Sequence, residues 1–309
     1  MKLRHIVSAH QFDRKILKKI FILTDRIKSP KYNKNALSGK IMATLFYEPS
    51  TRTRLSFESA MMRLGGSVIA TENAGEFSSA AKGETLEDTI RVVNSYTDVI
   101  VLRHPKPGAS EIAAKFSKIP IINAGDGEGE HPTQAILDLY TIFSKIKRPS
   151  FTVAMVGDLK YGRTIHSLSY FLSLYSKVKT IFISPKQLAI PHYLRQDLSQ
   201  KKVTFQETEN FNEALKKSDV IYMTRIQKER FKDEKSYQKY FGKYILDKKT
   251  IQQMKNQAVI MHPLPRINEI SHEVDTDRRA IYFEQAQNGL YVRMALLLLL
   301  FDKVKFQTS

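Results

Sequence analysis

Apolar positions along the chain follow two periods. Ile16, Ile20, Leu23 and Ile27 recur at helical spacing behind Asp13, which predicts a first amphipathic helix. Ile41 to Phe46 is a short, nearly unbroken apolar run and reads as a buried strand. A helical pattern follows to Leu64 and is stopped by Gly65-Gly66. Ser67 to Ala70 reads as a second strand. Thr85-Leu-Glu-Asp88 has capping-box spacing and opens a helix to Tyr96. Val99 to Leu102 and Ile119 to Ile122 read as third and fourth strands. Pro132 stands where proline favours a first helical turn, and that helix runs to about Lys145.

The pattern then begins again. Phe151 to Val156 reads as a strand, Thr164 to Leu174 as a helix and Val178 to Ser184 as a strand. Weaker alternation continues through Val220 to Thr224 and Ala258 to Met261, and a last helix is expected from about Asn288 to Lys305. Alternating strands and helices imply right-handed crossovers and parallel sheets covered on both faces. Two such series, joined by the helix after Pro132, predict an α/β chain of two doubly wound parallel-sheet domains. Ligands of such sheets bind beyond the carboxyl ends of the strands.

Composition narrows the chemistry. The 309 residues contain no cysteine, which excludes disulfides, thiolate metal sites and cysteine nucleophiles. Apolar residues at 42% and charged residues at 26% fit a globular chain rather than a disordered one. The run from Met294 to Phe301 is far short of the ~20 residues a membrane span needs. The first residues carry no apolar signal core, so a cytoplasmic protein with no membrane partner is the expectation. Net charge is +18, which suits anionic partners, nucleic acid among them. The lysines are scattered in pairs such as Lys18-Lys19 and Lys201-Lys202, as on a solvated surface.

Polar clusters follow the strands. Ser50-Thr51-Arg52-Thr53-Arg54 opens a helix behind a buried strand. Free N–H groups at a helix start favour an anion. Hydroxyls add donors, and an arginine fork matches phosphate. A serine or threonine cap alone would not need two arginines within five residues, so a phosphate site is favoured. Ser78-Ser-Ala-Ala-Lys82-Gly-Glu is a small-residue loop whose lysine, taken alone, reads as solvated. Arg103 ends a strand and faces the expected cleft, or is a plain surface arginine. His131 precedes the Pro132 helix, whose dipole favours a neutral imidazole able to donate one hydrogen bond to a carbonyl oxygen. A structural histidine is the simpler alternative, and Glu128 and Glu130 place acid beside it. Gly157-Asp-Leu-Lys-Tyr-Gly162-Arg163-Thr164 nearly matches a P-loop, but Arg163 stands where the lysine belongs, which argues against nucleotide binding. Arg163 still suits a carboxylate or phosphate. Met223-Thr-Arg225-Ile-Gln227 and His262-Pro-Leu264-Pro265-Arg266 follow apolar strands and are weak signals singly.

Taken in order, from about Phe46 to Arg293, these clusters resemble the carbamoyltransferase family. Ser50-Thr51-Arg52-Thr53-Arg54 is similar to the family's carbamoyl-phosphate motif. His262-Pro-Leu-Pro, Lys82-Gly-Glu-Thr and Met223-Thr-Arg225-Ile-Gln227 resemble the aspartate branch, whereas the ornithine branch has a cysteine after the histidine. The resemblance implies carbamoyl transfer from carbamoyl phosphate to L-aspartate, early in pyrimidine biosynthesis, with no cofactor or metal. It implies a carbamoyl-phosphate-binding domain over residues 1–133, completed by a C-terminal helix within 288–309, and an aspartate-binding domain over 134–287.

On the same resemblance, Ser50, Thr51, Arg52 and Thr53 hold the phosphate and Arg103 spans phosphate and carbonyl. His131 meets the carbonyl oxygen, Gln134 and the Leu264 backbone meet the amide, and the Leu264–Pro265 bond is cis. Arg163, Arg225, Gln227 and Lys82 grip aspartate. A homotrimer with shared sites is implied, Ser78 and Lys82 entering from a neighbour. Relatives stand alone as trimers, join a regulatory chain, or join a dihydroorotase. The competing expectations are another amine acceptor, such as ornithine, or a basic nucleic-acid binder. The lysine- and tyrosine-rich stretch from 231 to 246 matches no part of the family pattern residue by residue.

Overall fold

The computed structural model describes residues 3–29, 32–74, 82–226, 231 and 233–303. The chain divides into two compact units, Met1–Leu137 with Gln287–Ser309, and Asp138–Ala286.

In the first unit, Asp13 caps helix α1 (Arg14–Lys28), its carboxylate accepting from the Ile16 N–H at 2.7 Å. Leu17, Ile20, Leu23 and Ile27 form the buried stripe that the helical spacing predicts. Strand β1 (Ile41–Phe46) leads into α2 (Thr51–Arg63), and β2 (Ser67–Glu72) follows. The Thr85 hydroxyl accepts from the Asp88 N–H at 3.2 Å and starts α3 (Leu86–Val93), a turn shorter than expected. Next come β3 (Val99–His104), α4 (Ala109–Phe116), β4 (Ile121–Asp126) and α5 (Pro132–Lys145). Helix α4 lies between β3 and β4, where the sequence pattern named no element. Gly108 precedes it at φ 78°, a left-handed conformation that gives no sequence period to read.

All four strands are parallel, in the order β2-β1-β3-β4. Both faces are covered, so Met42 to Phe46 are all buried and the strand reads as a continuous apolar run. Ala43, Leu45, Ile100, Leu102 and Ile121 pack on Ile90 of α3 and Ala113 of α4. The chain winds from β1 outward to β2, then restarts on the other side at β3. The reversal therefore lies between β1 and β3, where Phe46 is paired with Arg103.

The second unit repeats the plan. It contains β5 (Phe151–Val156), α6 (Arg163–Ser173), β6 (Val178–Ile183), α7 (His192–Gln200), β7 (Phe205–Thr208), α8 (Phe211–Lys217), β8 (Val220–Met223), α9 (Glu234–Gln238) and β9 (Val259–Met261). The parallel order is β7-β6-β5-β8-β9, so the reversal lies between β5 and β8. Helix α10 (Tyr282–Leu300) begins in the second unit and ends in the first. It starts six residues before the expected Asn288 and stops at Leu300, ahead of Lys305. Gln285 and Asn288 look like cap or loop residues in sequence, but tertiary partners satisfy them inside the helix. Asn288 accepts from the Lys28 ammonium at 2.6 Å.

A buried polar link stabilises the second unit. The Tyr222 hydroxyl donates to Asp138 Oδ2 at 2.6 Å, and Gln285 Nε2 donates to Asp138 Oδ1 at 2.6 Å. Burial and then the Asp138 charge hold the Tyr222 hydroxyl well above its ordinary pKa, so it remains a donor. Tyr222→Phe removes that donor from a buried carboxylate. It is expected to lower the unfolding free energy by about 1–3 kcal/mol. A urea melt measures the loss, and an unchanged midpoint would contradict it. Among the described residues, no helix is long and apolar enough to cross a membrane.

Candidate active site

Residues 50–54 and Arg103 of the first unit lie at the carboxyl ends of the two strands between which its sheet reverses. In open parallel sheets that is the crevice where ligands bind. Ser50 occupies the N-cap of α2 with no side-chain cap hydrogen bond. Thr51 and Arg52 are exposed in the first turn, while Thr53 is buried. Arg54 turns elsewhere and pairs with Glu58 of its own helix at 3.5 Å. Glu58 also accepts from the Thr44 hydroxyl at 3.0 Å. The motif's two arginines therefore divide their work: Arg52 faces solvent and Arg54 braces α2 on β1.

Arg103 lies beside Phe46 at the carboxyl end of β3. It donates to the Ala124 carbonyl at 3.2 Å and pairs with Glu48 at 3.5 Å. Sequence reasoning passed over Glu48. Its only signal was its place between β1 and the hydroxyl-rich turn. A carboxylate here holds the guanidinium fork in position before any anion arrives. The neighbouring His104 accepts the Lys106 N–H at 3.1 Å, and burial followed by the Lys106 charge keeps its pKa below the usual value.

His131 is buried at the start of α5, where its carbonyl accepts the Gln134 and Ala135 N–H groups, both at 3.1 Å. Gln134 sits half-buried in the same first turn. Of the two acids beside His131, Glu130 is engaged by the Ser8 hydroxyl at 2.6 Å and the Ala9 N–H, and Glu128 is exposed. Lys82 is exposed at the start of the short turn before α3. Ser78 lies outside the described residues.

The second unit gathers its cations at its own reversal. Arg163 is the first residue of α6 and Arg225 follows β8; both are half-buried. Gly157, after β5, has φ +118°, and a Cβ there would stand 2.2 Å from the Thr224 carbonyl oxygen. Only glycine allows the ends of β5 and β8 to approach so closely. Gln227 lies outside the described residues.

A small cleft opens at this end of the sheet. Gly157, Thr224 and Ile226 line it, together with Tyr237, Phe241 and Tyr244. Aromatic residues of the stretch that could not be placed residue by residue thus form a wall of the cleft. Phe231 packs on Tyr237 and Tyr240 with ring centroids 5.8 and 5.9 Å apart. Burial pushes the Tyr244 hydroxyl up to about 12. Lysines alternating with these tyrosines hid a buried face behind a solvated one.

The turn after β9 is tightly fixed. The Leu264–Pro265 peptide bond is cis, and Leu264 takes φ 53°. That left-handed conformation costs a non-glycine residue about 1–2 kcal/mol, so its surroundings must hold it. The Leu264 N–H donates to His262 Nδ1 at 2.7 Å, and His262 Nε2 meets Glu269 Oε1 at 2.7 Å. Arg266 pairs with Asp275 and donates to the Tyr282 hydroxyl at 2.8 Å. That Arg266 hydrogen bond holds the Asp275 carboxyl below its usual range. Among the described residues, no group of three or more His, Asp or Glu is placed to hold a metal ion.

The first unit thus carries a helix start with hydroxyls and Arg52 after β1, Arg103 at the end of the neighbouring β3, and His131 and Gln134 at the start of α5. The second offers two arginines to carboxylates. Comparison with known proteins agrees with this division. Residues 4–144 match the family model described as "Aspartate/ornithine carbamoyltransferase, carbamoyl-P binding domain", and residues 150–300 match "Aspartate/ornithine carbamoyltransferase, Asp/Orn binding domain". The chain is 53% identical over 304 residues to the chloroplastic aspartate carbamoyltransferase of Arabidopsis thaliana, covering 97% of this chain and 78% of that one. It resembles the solved catalytic subunit of M. jannaschii aspartate transcarbamoylase at 47% identity and TM-score 0.90, covering 97% and 98% of the two chains. It also resembles aspartate transcarbamoylase from Trypanosoma cruzi, solved with carbamoyl phosphate and aspartate, at 42% identity, TM-score 0.90 and 96% coverage of each chain. With both family models matched in sequence and both sheets laid out to suit them, this chain belongs to the aspartate/ornithine carbamoyltransferase family.

Proposed function

We infer that this chain is an aspartate carbamoyltransferase. It transfers the carbamoyl group of carbamoyl phosphate to the amine of L-aspartate, giving N-carbamoyl-L-aspartate and phosphate for pyrimidine biosynthesis. The observation that carries this reading is the pairing of an arginine- and hydroxyl-rich helix start at one sheet reversal with two arginines at the other.

Each proposed role is carried over from the family resemblance at the matching positions, and the charge of the side chains supports it. Residues 1–133 with 288–309 take carbamoyl phosphate, and 134–287 take aspartate. Ser50, Thr51, Arg52 and Thr53 bind the phosphate. Arg103, oriented by Glu48, reaches phosphate and carbonyl. Gln134 and the backbone at Leu264–Pro265 receive the carbamoyl amide. Arg163, Arg225 and Gln227 hold the aspartate carboxylates. Ser78 and Lys82 are contributed by the neighbouring subunit of a homotrimer, in the cytoplasm.

The reactants are both anions, so fixed cations must offset their repulsion. The deprotonated amine of aspartate attacks the carbamoyl carbon and a C–N bond forms. Negative charge gathers on the carbonyl oxygen, where Thr53, Arg103 and His131 donate. The carbonyl re-forms, and the C–O bond to phosphate breaks. Phosphate leaves with the electron pair, held by Arg52 and Lys82, and the amine proton passes to it or to solvent. Holding both reactants in place can supply roughly 7–11 kcal/mol.

The purified chain, given carbamoyl phosphate, is expected to form N-carbamoyl-L-aspartate from aspartate and no citrulline from ornithine. Coupled phosphate release with product mass measurement checks this. Turnover of ornithine in place of aspartate would reassign the acceptor. Steep salt-dependent binding to unrelated nucleic acid without turnover would point to the basic-binder alternative.

A further inference from the structure

We propose that Glu269 and His262 are a positioning pair that holds the Leu264 carbonyl ready for the carbamoyl N–H, and so selects carbamoyl phosphate over acyl phosphates that lack it. The proposal rests on the reading above, in which the Leu264 backbone meets the carbamoyl amide.

The argument starts from a fixed donor. A main-chain N–H can only donate, so the Leu264 N–H at 2.7 Å requires a lone pair on His262 Nδ1. The ring proton then sits on Nε2 and points at Glu269 Oε1, 2.7 Å away. Glu269 Oε2 accepts from the Ile267 and Asn268 N–H groups, both at 3.1 Å. Burial opposes ionisation of Glu269, but the His262 hydrogen bond and these N–H groups outweigh it, and its carboxyl lies below the usual range.

An ionised carboxylate in this place admits one tautomer of His262. The other tautomer would set a proton against the Leu264 N–H and a lone pair against the carboxylate. The main chain at His262 is anchored as well, because its backbone N–H donates to Gln285 Oε1 at 2.9 Å. Both side chains are buried, His262 at 2% and Glu269 at 6% exposure, so water does not substitute for either partner.

Two substitutions separate the ring nitrogens. His262→Asn places an amide oxygen near the Nδ1 position and keeps an acceptor for Leu264. His262→Gln reaches towards Glu269 and withdraws that acceptor. The readout is the ratio of kcat/KM for carbamoyl phosphate over acetyl phosphate at saturating aspartate, since acetyl phosphate carries a methyl where the carbamoyl group carries NH2. A site built around a substrate N–H discriminates strongly against analogues without one.

His262→Gln is expected to cut the ratio by about tenfold or more, and His262→Asn by no more than about threefold. Glu269→Gln, which frees the tautomer, is expected to cut it as His262→Gln does, and it serves if His262→Gln does not fold. Thermal melts verify that each variant is folded. An unchanged ratio in folded His262→Gln or Glu269→Gln would overturn the proposal, as would equal losses in His262→Gln and His262→Asn. Failure of the unmodified chain to form N-carbamoyl-L-aspartate would instead remove the underlying reading, and the proposal with it.

Discussion

Arg52→Ala is expected to lower kcat/KM for carbamoyl phosphate by about a thousandfold, or ~4 kcal/mol. Arg52 is exposed at the start of α2, behind a cap residue whose hydroxyl makes no capping bond, and Arg54 is already committed to Glu58. No other side chain of that turn can replace its fork. Initial-rate kinetics measure the loss. A fall of under about tenfold would show that the helix dipole and hydroxyls suffice without the guanidinium. The same variant tests the shared site. If the chain assembles as the homotrimer proposed above, mixing equal amounts of Arg52→Ala and Lys82→Gln chains and reassembling them gives about three quarters of trimers with both types. Each mixed trimer has one site of three with both side chains intact. About a quarter of the unmodified activity should therefore return. No recovery from two folded, separately inactive chains would confine Lys82 to its own subunit's chemistry.

Arg225→Ala should act on the other substrate. A bidentate guanidinium–carboxylate contact in a cleft is worth several kcal/mol, so KM for aspartate is expected to rise about a hundredfold. Arg163→Ala should move in the same direction. Carbamoyl-phosphate binding by Arg225→Ala, followed by calorimetry, should stay within about twofold, because the proposed function assigns Arg225 to the aspartate carboxylates alone. An equal loss of affinity for both substrates would place Arg225 on the phosphate instead.

Both expectations draw on features that sequence carried unequally. Strand β1 was legible to the residue because a parallel strand covered on both faces is an unbroken apolar run. Helix α5 was equally legible because Pro132 marks its start and Lys145 its end. Helices α4, α7 and α8 were not, since none exceeds nine residues and short helices give the period too few turns to show. Strand β7, at four residues with two exposed, offered no alternation to count. In the site, the cations stood out because several follow apolar strands directly. Their partners did not. Glu48 and Glu269 matter only through side chains brought near by folding, and charge on a line of sequence gives no direction. The aromatic wall of Tyr237 and Tyr244 was concealed for a related reason, as its lysines and tyrosines alternate in composition but separate in space.

Helix α10 has a consequence for how the molecule is made. The first unit is interrupted by the whole of the second, and its helix α10 is translated after the second unit's sheet. Arg293 of that helix is buried, with its guanidinium 5.0 Å from the centre of the Phe57 ring, on the helix that carries Arg52. A nascent chain on the ribosome can complete the second unit from contiguous residues, while α2 still waits for its support. Helix α2 is thus supported at Phe57 only after the second unit has been made, and a chain terminated before Arg293 would lack the prop beneath it.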